Sequence, residues 1–258
     1  MTADGERWLL VNASPDVRLQ AQTFAPEAAR GSRIACIALT SADIDHVAGL
    51  LVLREGGAPP IYATPQVDSA VRMGLGLLDA LTAYGPVDVR RLTPGRSIAF
   101  ADRDGAPLGI EAEILDVLGK PPLYVRHKTG EGVGVGHTVA LVLRGASGGT
   151  LVYAPGVSRI DDTLGERLAH AHTILFDGTC WTDDELAPLG GRTARAMGHL
   201  PMSGAEGTLE KLARYGNARR LYVHVNNTNP VLRAGSPERR MLDQAGIRLG
   251  EDGEELEV

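Results

Sequence analysis

Three side chains that commonly bind metals follow directly after one apolar run. In the stretch LTSADIDHVAGLLVLREG (residues 39–56), Asp43, Asp45 and His46 come after the run IACIAL. If the segment is extended, Asp43 and Asp45 share one side of it while His46 begins the following helix, so all three can converge beyond the strand. Converging carboxylate oxygens and imidazole nitrogens are what a divalent metal requires. The alternative is that Asp45 caps the helix and Asp43 is merely exposed.

Later segments repeat this pattern, because each ends an apolar run on an Asp or a His. TILFDGT supplies Asp177, AMGHLPMSG supplies His199 and LYVHVNNTNP supplies His224. A strand that delivers such a side chain where it leaves the sheet provides a rigid ligand. Each histidine alone is more often a hydrogen-bonded core residue than a ligand, but a metal explains all of these segments together. The sequence therefore predicts that these residues meet at one edge of the fold.

The elements that must position these residues are short apolar runs separated by helical patterns. The runs are rich in Val, Ile and Leu and are bounded by Gly, Pro or Asp, which is typical of buried strands. They lie at 8–13, 34–40, 61–64, 96–100, 110–118, 138–144, 150–155, 173–178 and 220–225. Helical patterns lie at 47–56, 65–85, 159–171, 204–216 and 236–246. This alternation, without a short repeat or a low-complexity linker, favours a layered α/β sandwich in one domain.

The composition argues against several function classes. The chain has 258 residues, 43% of them hydrophobic, and a formal net charge of -6, which disfavours sequence-independent binding to nucleic acid. Cys36 and Cys180 are too few and too far apart for a disulfide framework or a Cys-based zinc site. No apolar run approaches the ~20 residues that cross a bilayer, and MTADGERWLL lacks a signal-peptide pattern. We expect a cytoplasmic protein with a small-molecule or peptide-derived ligand, and with neither nucleic acid nor membrane as a partner.

The residues at the strand ends resemble the metal motifs of the metallo-β-lactamase superfamily, which are HxHxDH after a strand, a later Asp at a strand end, a GH pair and a final His. Within that superfamily, several segments are similar to the pyrroloquinoline quinone (PQQ) biosynthesis protein B family: WLLVNASPDVR, LTSADIDHVAGLLVLREG, GKPPLY, ILFDGT, MGHLPMSG and VHVNNTNPVL, the last followed by SPER. They occur in the family's order, from about Trp8 to the C-terminus. The resemblance implies a four-layered αββα sandwich that forms a single domain over residues 1–258.

The sequence departs from the family pattern at its N-terminus. Family members carry a first strand, a glycine-rich loop and a CxCxxC cluster that is similar to a structural zinc site, and this sequence starts downstream of them with MTADGERWLL. Loss of a first strand would expose a sheet edge. We therefore expect an in-frame upstream coding region that encodes an apolar strand and a Cys-containing loop.

A second departure concerns the metal motif, where the two leading histidines of HxHxDH are here Ser41 and Asp43. Without those imidazoles, one half of a dinuclear zinc site is oxygen-rich and short of ligands. A single metal held by His46, His224 and a carboxylate instead approaches the arrangement of non-heme Fe(II) oxygenases, which leaves positions open for O₂ and substrate. The family is similar to an iron-dependent hydroxylase acting on the tyrosine ring of the cross-linked Glu-Tyr intermediate in PQQ biosynthesis, so the resemblance implies this activity.

The resemblance also assigns roles to individual side chains. Asp45, His46 and His224 are the predicted direct ligands of Fe(II), with Zn as the alternative metal, and the residues that complete or orient the shell are Asp43, Asp177 and His199. His199 and Asp177 are in addition the predicted catalytic side chains. The substrate carries several carboxylates, so the predicted anion contacts are Arg54, Lys120 and Arg126.

The remaining histidines have weaker support. His127 lies in LYVRHKTG, where hydrolase relatives carry a further ligand, but its loop-like surroundings do not separate a ligand from a surface residue. The histidines expected to be structural or exposed are His137, His170 and His172.

Two other functions stay open on the sequence. One is a dinuclear zinc hydrolase that attacks an ester, lactone or phosphodiester, and the other is a non-catalytic carrier that binds or transports PQQ or its precursor. Other PQQ biosynthesis proteins and a second copy of the chain, as a homodimer, are the macromolecular partners that the resemblance suggests.

Overall fold

The computed structural model describes residues 1–24, 33–54, 58–130 and 132–258, and the strands in these ranges form two sheets. The 4-stranded sheet is parallel, in the order β1 (Trp8–Val11), β2 (Ile34–Ala38), β3 (Ile61–Ala63) and β4 (Val89–Arg91). The 7-stranded sheet contains β5 (Ser97–Ala101), β6 (Pro107–Asp116), β7 (Val139–Gly145), β8 (Thr150–Ala154), β9 (Thr173–Asp177), β10 (Arg219–Val223) and β11 (Arg248–Leu249). Its spatial order is β11-β10-β9-β8-β7-β6-β5, parallel from β11 to β8 and antiparallel from β8 to β5.

The described helices lie in the connections between these strands. They are α1 (Val17–Phe24), α2 (Ile44–Val47), α3 (Pro65–Ser69), α4 (Leu77–Thr82), α5 (Leu123–Thr129), α6 (Asp162–Ala169), α7 (Ala194–Met197), α8 (Thr208–Ala213) and α9 (Pro237–Gln244). Segments of 3₁₀ helix span Ala48–Arg54, Ala187–Leu189 and Pro230–Leu232, and one π turn spans Ala70–Gly74.

Alternating side chains of the strands build a four-layered sandwich. Leu9 and Ala38 of the first sheet face Ile110 of the second in a central apolar layer. Ile37, one residue before Ala38, points the other way and packs with α2, α3 and α4. The outer face of the second sheet packs against α6, α8 and α9. Each sheet thus buries both faces, as the near-continuous apolar runs require, and the predicted αββα sandwich is confirmed.

The helices differ from the sequence pattern where glycine and tertiary contacts intervene. The α-helix α2 ends at Val47, where the helix predicted over 47–56 was to begin; a 3₁₀ segment follows from Ala48 to Arg54, and residues 55–57 lie outside the described ranges. The helix predicted over 65–85 is interrupted before α4 by Gly76, whose φ of 67° lies in the left-handed region. The LYVRHKTG segment is not a loop as predicted, because it forms α5. The short strands β4 and β11 were not predicted.

The carboxyl ends of four parallel strands meet at one edge of the two sheets. Val11 and Ala38 end β1 and β2 in the first sheet, and Asp177 and Val223 end β9 and β10 in the second. In open α/β sheets, ligands bind beyond the carboxyl ends of parallel strands. The polar residues that follow these strands are therefore placed to form a site.

Two further features concern membrane-spanning helices and the cysteines. Within the described ranges, no helix has both the length and the apolar character that crossing a membrane requires. Cys36 and Cys180 are both buried and unpaired, as the sequence predicts.

Candidate metal centre

Asp45, His46 and His224 come together beyond the ends of β2 and β10. One carboxylate oxygen and one ring nitrogen from each histidine lie within 4.8 Å of one another. His46 is buried, His224 is partly buried and Asp45 is exposed, so the group opens to solvent on its Asp45 side. Two imidazoles and one carboxylate on a single face suit a divalent cation that keeps further positions open.

A tight backbone contact holds the metal motif against the end of β1. The Ala13 N–H donates to His46 O at 2.7 Å, and the Gly49 N–H donates to Ala13 O at 2.9 Å. A Cβ added at Gly49 would lie 2.1 Å from Ser14 O, well inside contact distance. Gly49 is therefore required because two backbones approach here more closely than any side chain allows. This explains why the motif carries a glycine soon after the predicted ligands.

His46 presents to the site a ring nitrogen that has no hydrogen-bond partner among the described residues. Its Nδ1 lies 2.8 Å from Ser41 Oγ, and Ser41 Oγ donates to Asp43 Oδ2 at 2.9 Å. The other nitrogen, Nε2, is buried and has no hydrogen-bond partner among the described residues. Burial, together with the charge of His224, lowers the pKa of His46 to about 4, so the ring is neutral near pH 7. A buried neutral nitrogen without a partner is costly unless it binds something, and a cation fits it.

His224 is held from both sides in an uncommon backbone conformation. Its φ of 56° lies in the left-handed region, where strain in residues other than glycine clusters at functional sites. Nε2 donates to Asp45 Oδ2 at 3.0 Å, and Nδ1 lies 2.8 Å from Thr179 Oγ1. Burial alone would lower the pKa of His224, but Asp177 and Asp45 raise it to about 10. The hydrogen bond from His224 in turn lowers the pKa of Asp45 to about 2.

A second group, Asp177, His199 and His224, adjoins the first. Asp177 is fully buried, and its Oδ1 accepts from Thr179 N at 3.1 Å and from Thr179 Oγ1 at 2.6 Å. Its Oδ2 accepts from Val157 N at 3.1 Å and from His199 Nδ1 at 2.7 Å. Both oxygens are thus saturated with donors, so the geometry favours Asp177 as a residue that orients the site over Asp177 as a metal ligand.

Charge within this second group is set by the buried carboxylate. Burial would raise the pKa of Asp177, but His199 and His224 hold it well below the usual range. Burial likewise opposes protonation of His199, yet the charge and hydrogen bond of Asp177 raise the pKa of that imidazole. The rings of His199 and His224 stack with centroids 5.5 Å apart. A proton carrier therefore lies directly beside the first group.

Comparison with known proteins identifies the family. A family model described as "Beta-lactamase superfamily domain" matches residues 7–225. Coenzyme PQQ synthesis protein B of Methylobacterium radiotolerans is 40% identical over 266 residues, a match that covers 100% of this chain and 86% of the relative. The protein of the same name from Ruegeria pomeroyi is 38% identical, covering 99% of this chain and 85% of the relative. This chain belongs to the PQQ synthesis protein B family.

A solved structure agrees with that assignment. The crystal structure of zinc-bound PqqB from Methylobacterium extorquens matches the chain with a TM-score of 0.87 at 36% identity, covering 100% of this chain and 86% of that one. The family predicted from the sequence motifs is therefore confirmed, and its superfamily is that of the metallo-β-lactamases.

The metal motif of this family member is arranged differently from the extended segment expected. Asp43 is the N-cap residue of α2, and Asp45 lies in the first turn of that helix. The two carboxylates therefore do not share one side of a strand. Asp43 lies outside both groups and contacts Ser41 instead, and Asp45 is not the helix cap that the alternative interpretation predicted.

The basic residues predicted to contact substrate are engaged to different degrees. Arg54 donates to Leu51 O at 2.9 Å and lies over the ring of Tyr84. Lys120 Nζ donates to the last turn of α7, at Arg195 O (3.2 Å) and Ala196 O (3.1 Å), just before His199. Arg126, on α5, has a buried Nε without a hydrogen-bond partner within the described ranges. Of the three, Arg126 is the one with a buried donor that has no partner among the described residues.

The other histidines lie outside the two groups. His127 is exposed on α5 and belongs to neither group. His170 is bonded to Glu166 O, and His172 Nδ1 accepts from Thr150 N at 3.0 Å, next to the start of β9 and thus at the opposite end from Asp177.

Sequence reasoning missed three polar residues that line or support the centre. Thr179 follows Asp177 by two residues, and this D-x-T spacing at a strand end was the available signal. Asn12 Nδ2 donates to Thr40 Oγ1 at 2.9 Å and to Tyr153 OH at 3.4 Å. Burial raises the pKa of Tyr153 to about 12, so its hydroxyl stays protonated. In the sequence, Tyr153 is indistinguishable from an ordinary strand residue. Only the fold brings it to the sheet edge that carries the candidate metal centre.

Proposed function

We propose that this chain is an iron-dependent enzyme of PQQ biosynthesis that hydroxylates the tyrosine ring of the cross-linked Glu-Tyr intermediate. The observation that carries the proposal is the Asp45, His46 and His224 group, in which His46 Nε2 is buried and unpartnered among the described residues. Two imidazoles and one carboxylate are the protein ligands of non-heme Fe(II) oxygenases. Membership in the PQQ synthesis protein B family supports a precursor of PQQ as the substrate class.

In this proposal, some side chains of the site bind the metal and others transfer a proton. Asp45, His46 and His224 would hold the ion, and bound Fe(II) would supply one-electron chemistry with O₂. His199, whose pKa is raised by Asp177, holds a proton beside the ring of His224. A general acid or base in this position serves proton transfer to and from the substrate. Asp43 and Asp177 orient the ligands through the hydroxyls of Ser41 and Thr179.

For substrate binding, the proposal assigns the carboxylate contact to Arg126 on α5. The intermediate is rich in carboxylates, and Arg126 carries a buried donor that needs an acceptor. A guanidinium bonded to a carboxylate is a strong, directional contact. Arg126 is therefore the proposed carboxylate contact, whereas Lys120 and Arg54 are already bonded to backbone oxygens.

The reaction has a defined balance. One atom of O₂ converts a ring C–H to C–OH, and the other leaves as water with two protons and two electrons from an external reductant, which is ascorbate in the assay. The protein loaded with Fe(II) under anaerobic conditions is mixed with a cross-linked Glu-Tyr peptide, ascorbate and ¹⁸O₂. We expect O₂ uptake that depends on the peptide and a product carrying one ¹⁸O atom. The variant His224→Ala should lose both iron and turnover, while His127→Ala, which alters an exposed residue, should keep both.

A zinc hydrolase is the second candidate, because the relative from Methylobacterium extorquens is zinc-bound. Two adjacent groups of ligand type also resemble the arrangement of a two-metal site. Ester or phosphodiester turnover by the zinc-loaded protein, with no O₂ uptake by the iron-loaded protein, would establish hydrolysis and overturn the hydroxylase proposal.

A further inference from the structure

Both imidazoles of the proposed metal site meet a hydroxyl, and each hydroxyl meets a carboxylate. Ser41 lies between His46 and Asp43, and Thr179 lies between His224 and Asp177. We propose that Ser41 and Thr179 are positioning residues, which fix the ring tautomers so that both histidines present Nε2 to one cation. This inference rests on the proposed metal site but not on the identity of the metal.

The direction of the Ser41 hydroxyl hydrogen determines which ring nitrogen of His46 carries a hydrogen. An ionised carboxylate only accepts, so the one hydroxyl hydrogen of Ser41 goes to Asp43 Oδ2 at 2.9 Å. The Ser41 oxygen must then accept at the 2.8 Å contact with His46, which places the ring hydrogen on Nδ1. A neutral imidazole has one N–H. His46 Nε2 therefore carries a lone pair, and this is the buried nitrogen without a partner among the described residues.

Thr179 repeats the arrangement on the other sheet. Its hydroxyl is 2.6 Å from Asp177 Oδ1 and 3.2 Å from His224 O, and the shorter, charge-assisted bond takes the hydrogen. The Thr179 oxygen then accepts from His224 Nδ1 at 2.8 Å. Thr179 Oγ1 also lies 3.1 Å from His199 Nδ1, but that nitrogen has a closer partner in Asp177 at 2.7 Å. His224 Nε2 is thus left to face Asp45.

The Ser41–Asp43 pair and the Thr179–Asp177 pair are built in the same way along the chain. In each, the hydroxyl and the carboxylate are two residues apart and lie near the carboxyl end of a strand: Ser41 and Asp43 in the connection after β2, and Asp177 and Thr179 at and after the end of β9. Both hydroxyls are largely withdrawn from solvent, since Ser41 is 1% and Thr179 is 7% exposed. Water therefore does not replace them easily. Partners of this kind orient a metal-binding imidazole and change metal affinity about 10–100-fold.

The test compares substitutions that remove only the hydroxyl with one that keeps it. Thr179→Val preserves shape and loses the hydroxyl, whereas Thr179→Ser keeps the hydroxyl and loses a methyl group. Zn²⁺ is the probe, and its affinity is measured by competition with a chelating indicator at one pH. We expect Thr179→Val to weaken zinc binding about 10–100-fold and Thr179→Ser to remain close to wild type.

A spectroscopic measurement addresses Ser41 without metal. Ring ¹⁵N chemical shifts distinguish the two tautomers of a neutral histidine. In the metal-free protein at neutral pH, His46 should be the Nδ1–H tautomer, and Ser41→Ala should give a mixture. Thermal unfolding of each variant checks that the fold is retained.

The outcomes separate this inference from the proposed function. Equal zinc affinity for wild type and Thr179→Val, equal weakening by Thr179→Ser and Thr179→Val, or an Nε2–H tautomer for His46 would each overturn the positioning role. If the wild-type protein shows no hydroxylase activity while the zinc affinities differ as expected, only the proposed hydroxylation is refuted. A wild-type protein that binds no divalent cation would remove both.

Discussion

Metal binding at the centre should release a proton from His224, and the amount follows from the contact between this ring and Asp45. The proton on His224 Nε2 lies between the ring and Asp45 Oδ2, which are 3.0 Å apart. Because the pKa of His224 is raised to about 10, this proton is present in the metal-free protein throughout the neutral range. A cation needs the neutral nitrogen, so ion and proton compete for the same space.

The sign and size of the pH dependence follow from this competition. Below about pH 10 each ion displaces one proton from His224, so the apparent affinity falls about tenfold for each unit by which the pH decreases. His46, whose pKa is about 4, adds no second proton until the solution is strongly acidic. Between about pH 9 and about pH 6 the affinity should therefore fall ~1,000-fold, which corresponds to ~4 kcal/mol.

The assay is a zinc titration by calorimetry at about pH 7.5 in two buffers of different ionisation enthalpy, which counts released protons directly. We expect about one proton for each ion. The variant His170→Gln, which changes an exposed ring away from the centre, should release the same number. Release of no proton, together with an affinity that is flat between about pH 6 and about pH 9, would show that His224 is already neutral, and the reasoning from the Asp45 contact would be refuted.

Three further predictions test the surroundings of the centre. Gly49→Ala should destabilise the fold by about 3 kcal/mol or more, because the new Cβ meets Ser14 O, while Gly132→Ala, with open space around it, should change thermal unfolding little. Asp177→Asn should lower the free energy of unfolding by about 3–5 kcal/mol, because an amide places a donor where the carboxylate accepts; an unchanged melting temperature would contradict this. His127→Ala should leave zinc affinity within about twofold of wild type, and a large loss would return this residue to the ligand set.

The sequence predicted the described strands other than β4 and β11, and the residues at their ends, because both signals are local. A buried strand must be apolar along its length, and a polar residue directly after it stands out against that background. Asp177 and His224 are found in this way, and the parallel pairing of β9 with β10 brings them to the same edge. The family motifs then supplied the fold, since they identify the superfamily from residues rather than from secondary structure.

Other parts of the centre depend on contacts between distant segments, which a single sequence does not reveal. Asp45 was placed on an extended segment, but the contact between Gly49 and Ala13 draws the motif into a helical turn immediately after Asp43. Tyr153 lies on a strand of the second sheet and meets Asn12 from the first only because the sheets stack. Long-range packing of this kind overrides local propensity.

The hydrogen bonds around Ser41 also bear on how many metals the centre holds. In the superfamily motif that the sequence resembles, the positions of Ser41 and Asp43 are histidines, yet here Ser41 bonds to both Asp43 and His46. In the proposed metal site, Ser41 and Asp43 would therefore orient His46 and would not act as ligands themselves. Asp177 is saturated by four donors on the opposite side. Asp45, His46 and His224 are therefore the proposed ligand set, and these three side chains would be sufficient for one cation with open positions toward solvent.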